Sequence, residues 1–191
     1  HATVRPDTVA KILFTSGSTG YPKGVINTQG MLCANQAMIR AGLAFVGDEP
    51  PVIVDWLPWN HTFGGNHNFN LVLDNGGSLY IDEGKPLPGA IAATARNLKE
   101  IAPTIYFNVP KGFETLLPHL RADTDLRQNF FSRLKVLFYA GAGLQQYVWD
   151  ELQEMSVATC GERVIFISSI GSTETSPLAL ACNWDFPRPG N

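Results

Sequence analysis

A twelve-residue loop rich in glycine and hydroxyl side chains constrains this chain more than any other feature. It runs from Phe14 to Val25 with the sequence FTSGSTGYPKGV. Apolar runs at residues 9–14 and 25–26 flank it, and we predict that both form strands. Glycines let the backbone approach an anion closely, hydroxyls donate hydrogen bonds, and Lys23 adds a compact positive charge. The loop therefore predicts a site for polyphosphate.

The alternative is a flexible Ser/Gly turn between two strands. Hairpin turns usually need about two to five residues, whereas about ten residues separate these two apolar runs, a long connection of the kind that usually carries function. Neither the G-x-x-x-x-G-K-[ST] pattern nor the G-x-G-x-x-G pattern occurs in the loop. A P-loop kinase or a dinucleotide-binding protein is therefore disfavoured.

Composition narrows the possible partners. The 191 residues carry a net charge of −3, and 16% of them are charged, which is below the roughly 25% typical of soluble domains. Without a basic patch we expect no nucleic-acid and no membrane partner. No apolar run approaches about 20 residues and no signal peptide is evident, so we expect a cytoplasmic location. The chain has an odd number of cysteines with no pairing pattern, namely Cys33, Cys160 and Cys182. We interpret them as small buried or half-buried thiols.

Predicted strands alternate with predicted helices along the chain. The strands are 9–14, 25–26, 52–55, 78–81, 104–107, 134–139 and 164–167, and the helices are 28–44, a segment ending near 73, 88–101, 111–120, 124–131 and 145–156. Several strands are continuous apolar runs, which is typical of a parallel sheet covered on both faces. We predict an α/β fold with a mostly parallel sheet and helices on both faces. The chain lacks an initial methionine and ends in a Pro/Gly segment, so we expect a fragment of a longer protein.

Three further loops follow predicted strands. They are WNHTFG at 59–64, AGAGL at 140–144 and IGSTE at 170–174. Taken alone, they suit a packed histidine, an ordinary strand-to-helix turn and a helix cap. Beside a polyphosphate site, however, Glu174 offers an oxygen ligand for Mg²⁺ and Thr173 a hydroxyl for a phosphate group. Ligands of such sheets gather beyond the carboxyl ends of the strands, so we expect all four loops, the Phe14–Val25 loop included, to meet in one cleft.

The first loop resembles the phosphate-binding signature of the adenylate-forming superfamily, which includes acyl- and aryl-CoA synthetases and peptide-synthetase adenylation domains. The resemblance implies that the loop binds the β- and γ-phosphates of ATP, with Lys23 catalytic. It places His61 between the acyl-carboxylate site and the entry for the acceptor. Phe63 and Gly64 then border the acyl pocket. The implied nucleotide-binding residues are Thr15, Ser16, Gly17, Ser18, Thr19, Gly20, Lys23, Gly141, Ala142, Gly143, Gly171, Ser172 and Thr173.

The same resemblance implies that Gly141–Gly143 lies against adenine and that Glu174 holds the metal. Thr173 and Glu174 are the implied catalytic residues of the IGSTE loop. Family members commonly have tyrosine where this chain has Ile170, which leaves adenine stacking open. His67 matches nothing in the pattern, and we expect it to be a surface or structural residue.

Segments 55–68 and 76–86 look most like feruloyl-CoA synthases. That resemblance implies a ligase that uses ATP, Mg²⁺ and coenzyme A to activate a hydroxycinnamic acid and form its CoA thioester. Residues 1–191 would be a partial core of the N-terminal AMP-binding domain, without the lysine-bearing C-terminal domain, and inactive alone. A fatty acyl-CoA ligase, a peptide-synthetase adenylation domain and a non-catalytic nucleotide-binding domain remain the alternatives.

Overall fold

A four-stranded sheet, a two-stranded sheet and a β-hairpin organise the part of the chain that the computed structural model describes, residues 3–16, 20–182 and 189. The strands are β1 (Val9–Thr15), β2 (Lys23–Thr28), β3 (Val52–Asp55), β4 (Ser78–Ile81), β5 (Ile105–Asn108), β6 (Val136–Ala140), β7 (Ile165–Gly171) and β8 (Leu178–Cys182). The α-helices are α1 (Gln29–Gly42), α2 (Phe69–Asp74), α3 (Ile91–Glu100), α4 (Pro110–Ala122), α5 (Thr124–Ser132) and α6 (Gln146–Cys160). Short 3₁₀ turns lie at Ala44–Gly47 and Thr173–Thr175, and a π-helical segment at Phe63–Asn68 leads into α2.

The larger sheet has the order β5-β6-β7-β8. β5, β6 and β7 are parallel, while β8 pairs antiparallel with β7. β3 and β4 pair in parallel next to it, and the two sheets meet where Thr104 N donates to Val52 O at 2.9 Å. The predicted α/β class with a mostly parallel sheet is confirmed.

Alternating residues of these strands bury their side chains on opposite faces, as the two-residue period of a strand requires. Tyr106, Leu137 and Tyr139 pack into a core with helices α3 to α6. Phe107 and Phe138 pack into a second core with α1, α2 and the π-helical segment. Helices therefore cover both faces, as predicted.

Helix starts follow the capping chemistry of the sequence. The Thr28 hydroxyl accepts a hydrogen bond from Met31 N at the start of α1. Asp123 caps α5 by accepting from Leu126 N at 3.0 Å, and Pro110 occupies the first turn of α4, where its missing N–H costs nothing.

The structure corrects three local predictions. β1 and β2 form an antiparallel hairpin in which Thr15 pairs with Lys23, so both residues belong to strands rather than to the loop. β8 was not predicted, although its sequence LALAC is apolar. Cys33 and Cys160 are exposed rather than buried, since each lies on the outer side of its helix, and only Cys182 is half-buried.

Within the described ranges, no helix combines the length and the apolar character needed to cross a membrane.

Candidate functional site

A cavity of about 1010 Å³ opens at the carboxyl ends of β5, β6 and β7, which is where open α/β sheets bind ligands. Three of the predicted loops contribute to its wall through His61, Gly141–Gly143 and Ile170–Gly171. Phe63, which the resemblance assigns to the acyl pocket, also lines the cavity, whereas Gly64, assigned to the same pocket, is not among its lining residues. The structure therefore brings these three loops together in one cleft, whereas no described residue of the fourth, the predicted phosphate loop, lines it.

Aromatic rings pack at the base of this cavity. The ring of Phe63 lies 6.0 Å from that of Phe138 and 6.3 Å from that of Phe107. The imidazole of His67 is enclosed among them, 5.2 Å from Phe107 and 5.0 Å from Phe138. His67 is therefore structural, as expected, but it also lines the cavity.

His61 is an exposed residue on the rim of the cavity. The ring Nδ1 accepts a hydrogen bond from Phe63 N at 3.2 Å, and the backbone N–H of His61 donates to Pro58 O at 3.0 Å. Because Nδ1 is an acceptor, the neutral ring carries its proton on Nε2. His61 can therefore present a donor to an anionic group at the rim.

Small residues form the opposite side of the entrance. Gly141 has φ of +92°, a conformation that L side chains rarely adopt. Gly141, Ala142 and Gly143 are exposed, while the next residue, Leu144, is buried and anchors the loop in the core. The loop thus offers accessible backbone without bulky side chains, which is what a flat base would require.

The 3₁₀ turn Thr173–Thr175 closes the end of β7. Ser172 caps it, with Ser172 N donating to Thr175 Oγ1 at 2.8 Å. A Cβ added at Gly171 would lie only 1.8 Å from Pro177 O, so a side chain cannot be accommodated at this position. Thr173 is half-buried and Glu174 is exposed; neither is among the residues that line the cavity.

The predicted phosphate loop lies at the end of the β1–β2 hairpin. Ser16, Gly20 and Lys23 are exposed and Thr15 is half-buried. None of these four lines the cavity. Gly17, Ser18 and Thr19 lie outside the described residues, so their predicted contacts remain predictions.

Asparagine side chains connect the hairpin to the turn, and we call Asn27, Asn35 and Asn66 with their partners the polar joint. Asn27 Nδ2 donates to Thr173 O at 3.2 Å, and Asn66 Nδ2 donates to Asn27 Oδ1 at 2.7 Å. Asn35 Nδ2, on α1, donates to Thr175 O at 3.0 Å and to Leu178 O at 2.9 Å. All three asparagines are buried, so these bonds are shielded from water.

The polar joint fixes the relative position of the two segments that the resemblance assigns to ATP. Lys23 lies four residues before Asn27 in β2, a distance of about 14 Å along a strand. Lys23 is thus within one strand length of the turn that carries Glu174. Sequence reasoning missed the asparagines, although Asn27 gave a signal as a polar residue directly after the apolar pair Val25 and Ile26.

A buried polar chain runs beneath the cavity from Asp55 to His67. Asn68 Nδ2 donates to Asp55 Oδ2 at 2.9 Å, and Asn68 Oδ1 lies 2.9 Å from His67 Nδ1. Burial raises the pKa of Asp55 to about 6, against the lowering effect of its hydrogen bonds to Asn68 and Leu57 N. Burial likewise lowers the pKa of His67 to about 4. His67 is therefore neutral at pH 7.

The π-helical segment depends on close backbone contacts. A Cβ added at Gly65 would lie 2.2 Å from Trp59 O, and one added at Gly64 would lie 2.6 Å from Leu57 O. Lys11 Nζ donates to Gly65 O at 3.4 Å, which ties β1 to the same segment. Partial burial lowers the pKa of Lys11.

Residues 1–191 match the profile of the AMP-binding enzyme family along their whole length. The chain belongs to this family. Among curated relatives of this AMP-binding enzyme, the long-chain-fatty-acid–CoA ligase of Haemophilus influenzae is 28% identical over 189 residues. That match covers 94% of this chain and 31% of the relative, so the chain spans less than a third of the relative's length.

Solved structures show the same fold for this AMP-binding enzyme. A long-chain-fatty-acid–CoA ligase (FadD1) from Archaeoglobus fulgidus superposes with a TM-score of 0.74 at 23% identity, covering 93% of this chain and 34% of that one. ATP-bound MatB from Rhodopseudomonas palustris gives a TM-score of 0.70 at 24% identity over 97% and 33% of the two chains. The Haemophilus and Archaeoglobus proteins are named for fatty acids, so they lend no support to the ferulic-acid prediction.

Proposed function

We propose that this chain forms the nucleotide- and acyl-binding core of an ATP-dependent acid–CoA ligase. Such an enzyme converts a carboxylic acid to its acyl-adenylate and then to a CoA thioester. The observation that carries the proposal is the polar joint, because it holds the phosphate-loop hairpin against the turn of Thr173 and Glu174 beside a large apolar cavity. Family membership supports the same activity.

The first chemical step explains why these groups are needed together. A carboxylate oxygen forms a bond to the α-phosphorus of ATP, the bond to the β-phosphate oxygen breaks, and pyrophosphate leaves with the electron pair. Two anions must approach each other, so the protein has to position them and to provide donors and positive charge. We assign that role to Lys23 at the hairpin and to the hydroxyl of Thr173 at the turn.

Glu174 suits a magnesium ligand. Its carboxylate is exposed and makes no hydrogen bond or ion pair with any described residue. Mg²⁺ is usually held by one or two carboxylates together with substrate phosphates and water, so one free carboxylate beside the proposed phosphate site is sufficient. Bound there, Mg²⁺ would neutralise charge on the departing pyrophosphate.

His61 and the small-residue loop complete the proposal. His61 lies on the rim of the cavity, where its Nε2–H can hydrogen-bond the substrate carboxylate before attack. Gly141, Ala142 and Gly143 provide the flat, accessible backbone against which adenine would bind. Coenzyme A is the proposed acceptor in the second step.

For the acid itself we propose a hydroxycinnamic, ferulic-type substrate. The cavity is mostly apolar and has aromatic rings at its base, which suits a flat aryl group. A fatty acid is the second candidate, because the relatives named above are fatty-acid–CoA ligases.

ATP–pyrophosphate exchange by the full-length protein tests the activity. The acids to compare are ferulate, benzoate, a medium-chain fatty acid, a long-chain fatty acid and an amino acid. Exchange that depends on ferulate supports the proposal in full, and exchange that depends on a fatty acid supports the second candidate. Nucleotide binding without exchange for any acid would contradict the ligase and favour a non-catalytic nucleotide-binding domain.

Two substitutions test the assigned residues. We expect Glu174→Gln and Lys23→Ala each to lower exchange by about 10²-fold or more, as lost transition-state electrostatics usually do. Glu162→Gln is the matched control, since Glu162 is exposed and precedes β7, whereas Glu174 follows the other end of that strand. Unchanged exchange in Glu174→Gln would contradict the magnesium assignment. The prediction that residues 1–191 turn over negligibly alone is tested by the same assay on the isolated chain.

A further inference from the structure

Asn66 connects the wall of the cavity to the phosphate-loop hairpin. Its side-chain amide nitrogen carries two N–H groups, and both are used, because Asn66 Nδ2 donates to Thr62 Oγ1 at 3.0 Å and to Asn27 Oδ1 at 2.7 Å. Thr62 lines the cavity, and Asn27 lies in β2, four residues after Lys23. One side chain therefore bonds to a segment of the proposed acid site and to a segment of the proposed nucleotide site.

The backbone carbonyl at the far end of this chain of bonds fixes the direction of each bond. Thr173 O can only accept, so the group of Asn27 that faces it at 3.2 Å is the amide N–H. The other end of the Asn27 amide is then its oxygen, which must accept from Asn66. Reversing the Asn66 amide would place two oxygens against each other. The chain from Thr62 to Thr173 therefore has a single consistent arrangement.

Burial makes this arrangement unfavourable to break. Asn27 and Asn66 are 0% exposed and Thr62 is 6% exposed, so bulk solvent does not compete for these bonds. A shift of the hairpin relative to the π-helical segment would leave a buried N–H of Asn66 without its acceptor. Gln36 Nε2, on α1, donates to Asn66 O at 2.9 Å and holds the backbone of the same residue. The hairpin and the π-helical segment therefore keep a fixed relative position.

We propose that Asn66 is a positioning residue that aligns the two reactants of adenylate formation with each other. The inference rests on the proposed function, in which the acid lies in the cavity and the triphosphate lies at the hairpin. Asn66 is not among the residues that line the cavity, so it acts through its partners rather than on a substrate. His61 and Phe63 flank Thr62 in the chain and line the cavity, so the bond to Thr62 anchors that wall as well.

The reaction itself requires such alignment. A carboxylate oxygen has to approach the α-phosphorus of ATP to within about 3–3.5 Å, and a misplacement of about 1 Å can lower the rate by about 10²-fold. Shortening Asn66 leaves the contacts inside each substrate site in place and removes the bonds that fix one site relative to the other. The role therefore predicts a slower chemical step with little change in the binding of either substrate alone.

Single-turnover formation of the acyl-adenylate by the full-length enzyme tests this role. The acid is the one that gives the fastest ATP–pyrophosphate exchange among those compared above, and both substrates are saturating. We expect Asn66→Ala to lower the rate by roughly 10-fold or more, while calorimetry gives nearly native dissociation constants for ATP and for the acid measured separately. Asn129→Ala is the matched control, because it removes an asparagine of α5 that donates to Leu98 O outside the cavity lining. Its rate and binding should stay native.

A double-mutant cycle separates the hydrogen-bond chain from general damage. Thr62→Val keeps the shape of the side chain but cannot accept the bond, so it should also lower the rate. Thr62→Ser keeps a hydroxyl and should retain more of the rate than Thr62→Val. If Thr62 acts through Asn66, the double variant should be no slower than Asn66→Ala to within about 2-fold.

A native rate in Asn66→Ala at saturation would overturn the inference, and so would losses that multiply in the double variant. If Asn66→Ala does not fold, Thr62→Val decides the question, since a rate equal to that of Thr62→Ser would overturn the inference. In these cases exchange by the native enzyme still supports the proposed function. If the native enzyme shows no exchange with any acid, the proposed function fails, and the inference fails with it.

Discussion

The helical half of the molecule and the polar joint are stabilised by different means. In the helical half, which comprises α3 to α6 with β5 and β6, fully buried aromatic and aliphatic side chains such as Tyr106, Phe113 and Phe130 pack on one another. In the polar joint, single asparagines bond to backbone carbonyls of segments about 140 residues away. Apolar packing thus supports the scaffold, whereas directional hydrogen bonds set the geometry of the proposed site.

The largest expected effect is on the helical half. Phe130 is 0% exposed and packs against Tyr106 and Phe131, with ring centroids 5.2 Å and 5.0 Å apart. Phe130→Ala should lower the free energy of unfolding by about 3–5 kcal/mol, because it removes buried area and leaves a cavity. Urea denaturation followed by circular dichroism measures this. A loss below about 1 kcal/mol would show that this core is loosely packed.

The second effect lies between the two regions, in the Asp55–Asn68–His67 chain. The pKa of Asp55 is raised from its ordinary 3.8 to about 6, so the stability that it contributes is lost as pH rises between those values. The pKa of His67 is lowered from 6.5 to about 4, so the stability that it contributes is lost as pH falls through that window. Each slope is about 1.4 kcal/mol per pH unit, and the two oppose each other.

Because the two slopes cancel, we expect Asp55 and His67 together to leave the free energy of unfolding of the native protein nearly unchanged from pH 4 to pH 6. Relative to the native protein, His67→Phe should become less stable as pH rises across this range, and Asp55→Asn should become more stable. Denaturant unfolding at several pH values measures both slopes. Parallel curves for all three proteins would contradict the two pKa assignments.

The third effect isolates the polar joint. Asn27→Ala removes one of the two acceptors of Asn66 Nδ2 and the donor to Thr173 O, which should cost about 1–3 kcal/mol of stability. We expect Asn27→Ala to lose a larger fraction of its pyrophosphate exchange than Phe130→Ala loses. Both variants are assayed under conditions in which they are folded. Asn75→Ala is the control, since Asn75 bonds Leu71 O at the end of α2. Equal activity in both asparagine variants would show that the joint does not position the site.

The smallest effect compares two helix caps. Thr28→Ala removes the cap of α1 at the joint and should cost about 1 kcal/mol. Asp123→Ala removes the cap of α5 in the helical half. Thermal melting should register both, and only the Thr28 variant should also lower exchange. If both changes lowered exchange alike, the proposed division between scaffold and site would fail.

Sequence patterns predicted the scaffold better than the site. Helices at 111–120 and 124–131 and the strand at 104–107 follow from apolar periodicity and capping residues, which are local signals. The site loops were found because glycine, hydroxyl and charged residues cluster at strand ends. The bonds of Asn27 and Asn35 could not be predicted, because nothing local specifies a partner at a sequence separation of 146 or 140 residues.

Other failures have equally physical reasons. β8 has the sequence LALAC, an apolar run of residues that favour helices as much as strands, so its composition did not identify it as a strand. The π-helical segment at Phe63–Asn68 is a wider helix whose residue spacing no α-helical or strand period detects.

The tight backbone contacts at Gly65 and Gly171 have a consequence for saturation mutagenesis. Every replacement at either position would force a side-chain carbon into a carbonyl oxygen, so a fitness map of this chain should show both as invariant. Gly65 is not among the residues that line the cavity described above, yet it would score with the residues that handle substrate. Intolerance to substitution in this protein therefore indicates either a lack of space for a side chain or a role in substrate handling. Measuring the activity of each variant relative to the amount of folded protein would distinguish these two causes.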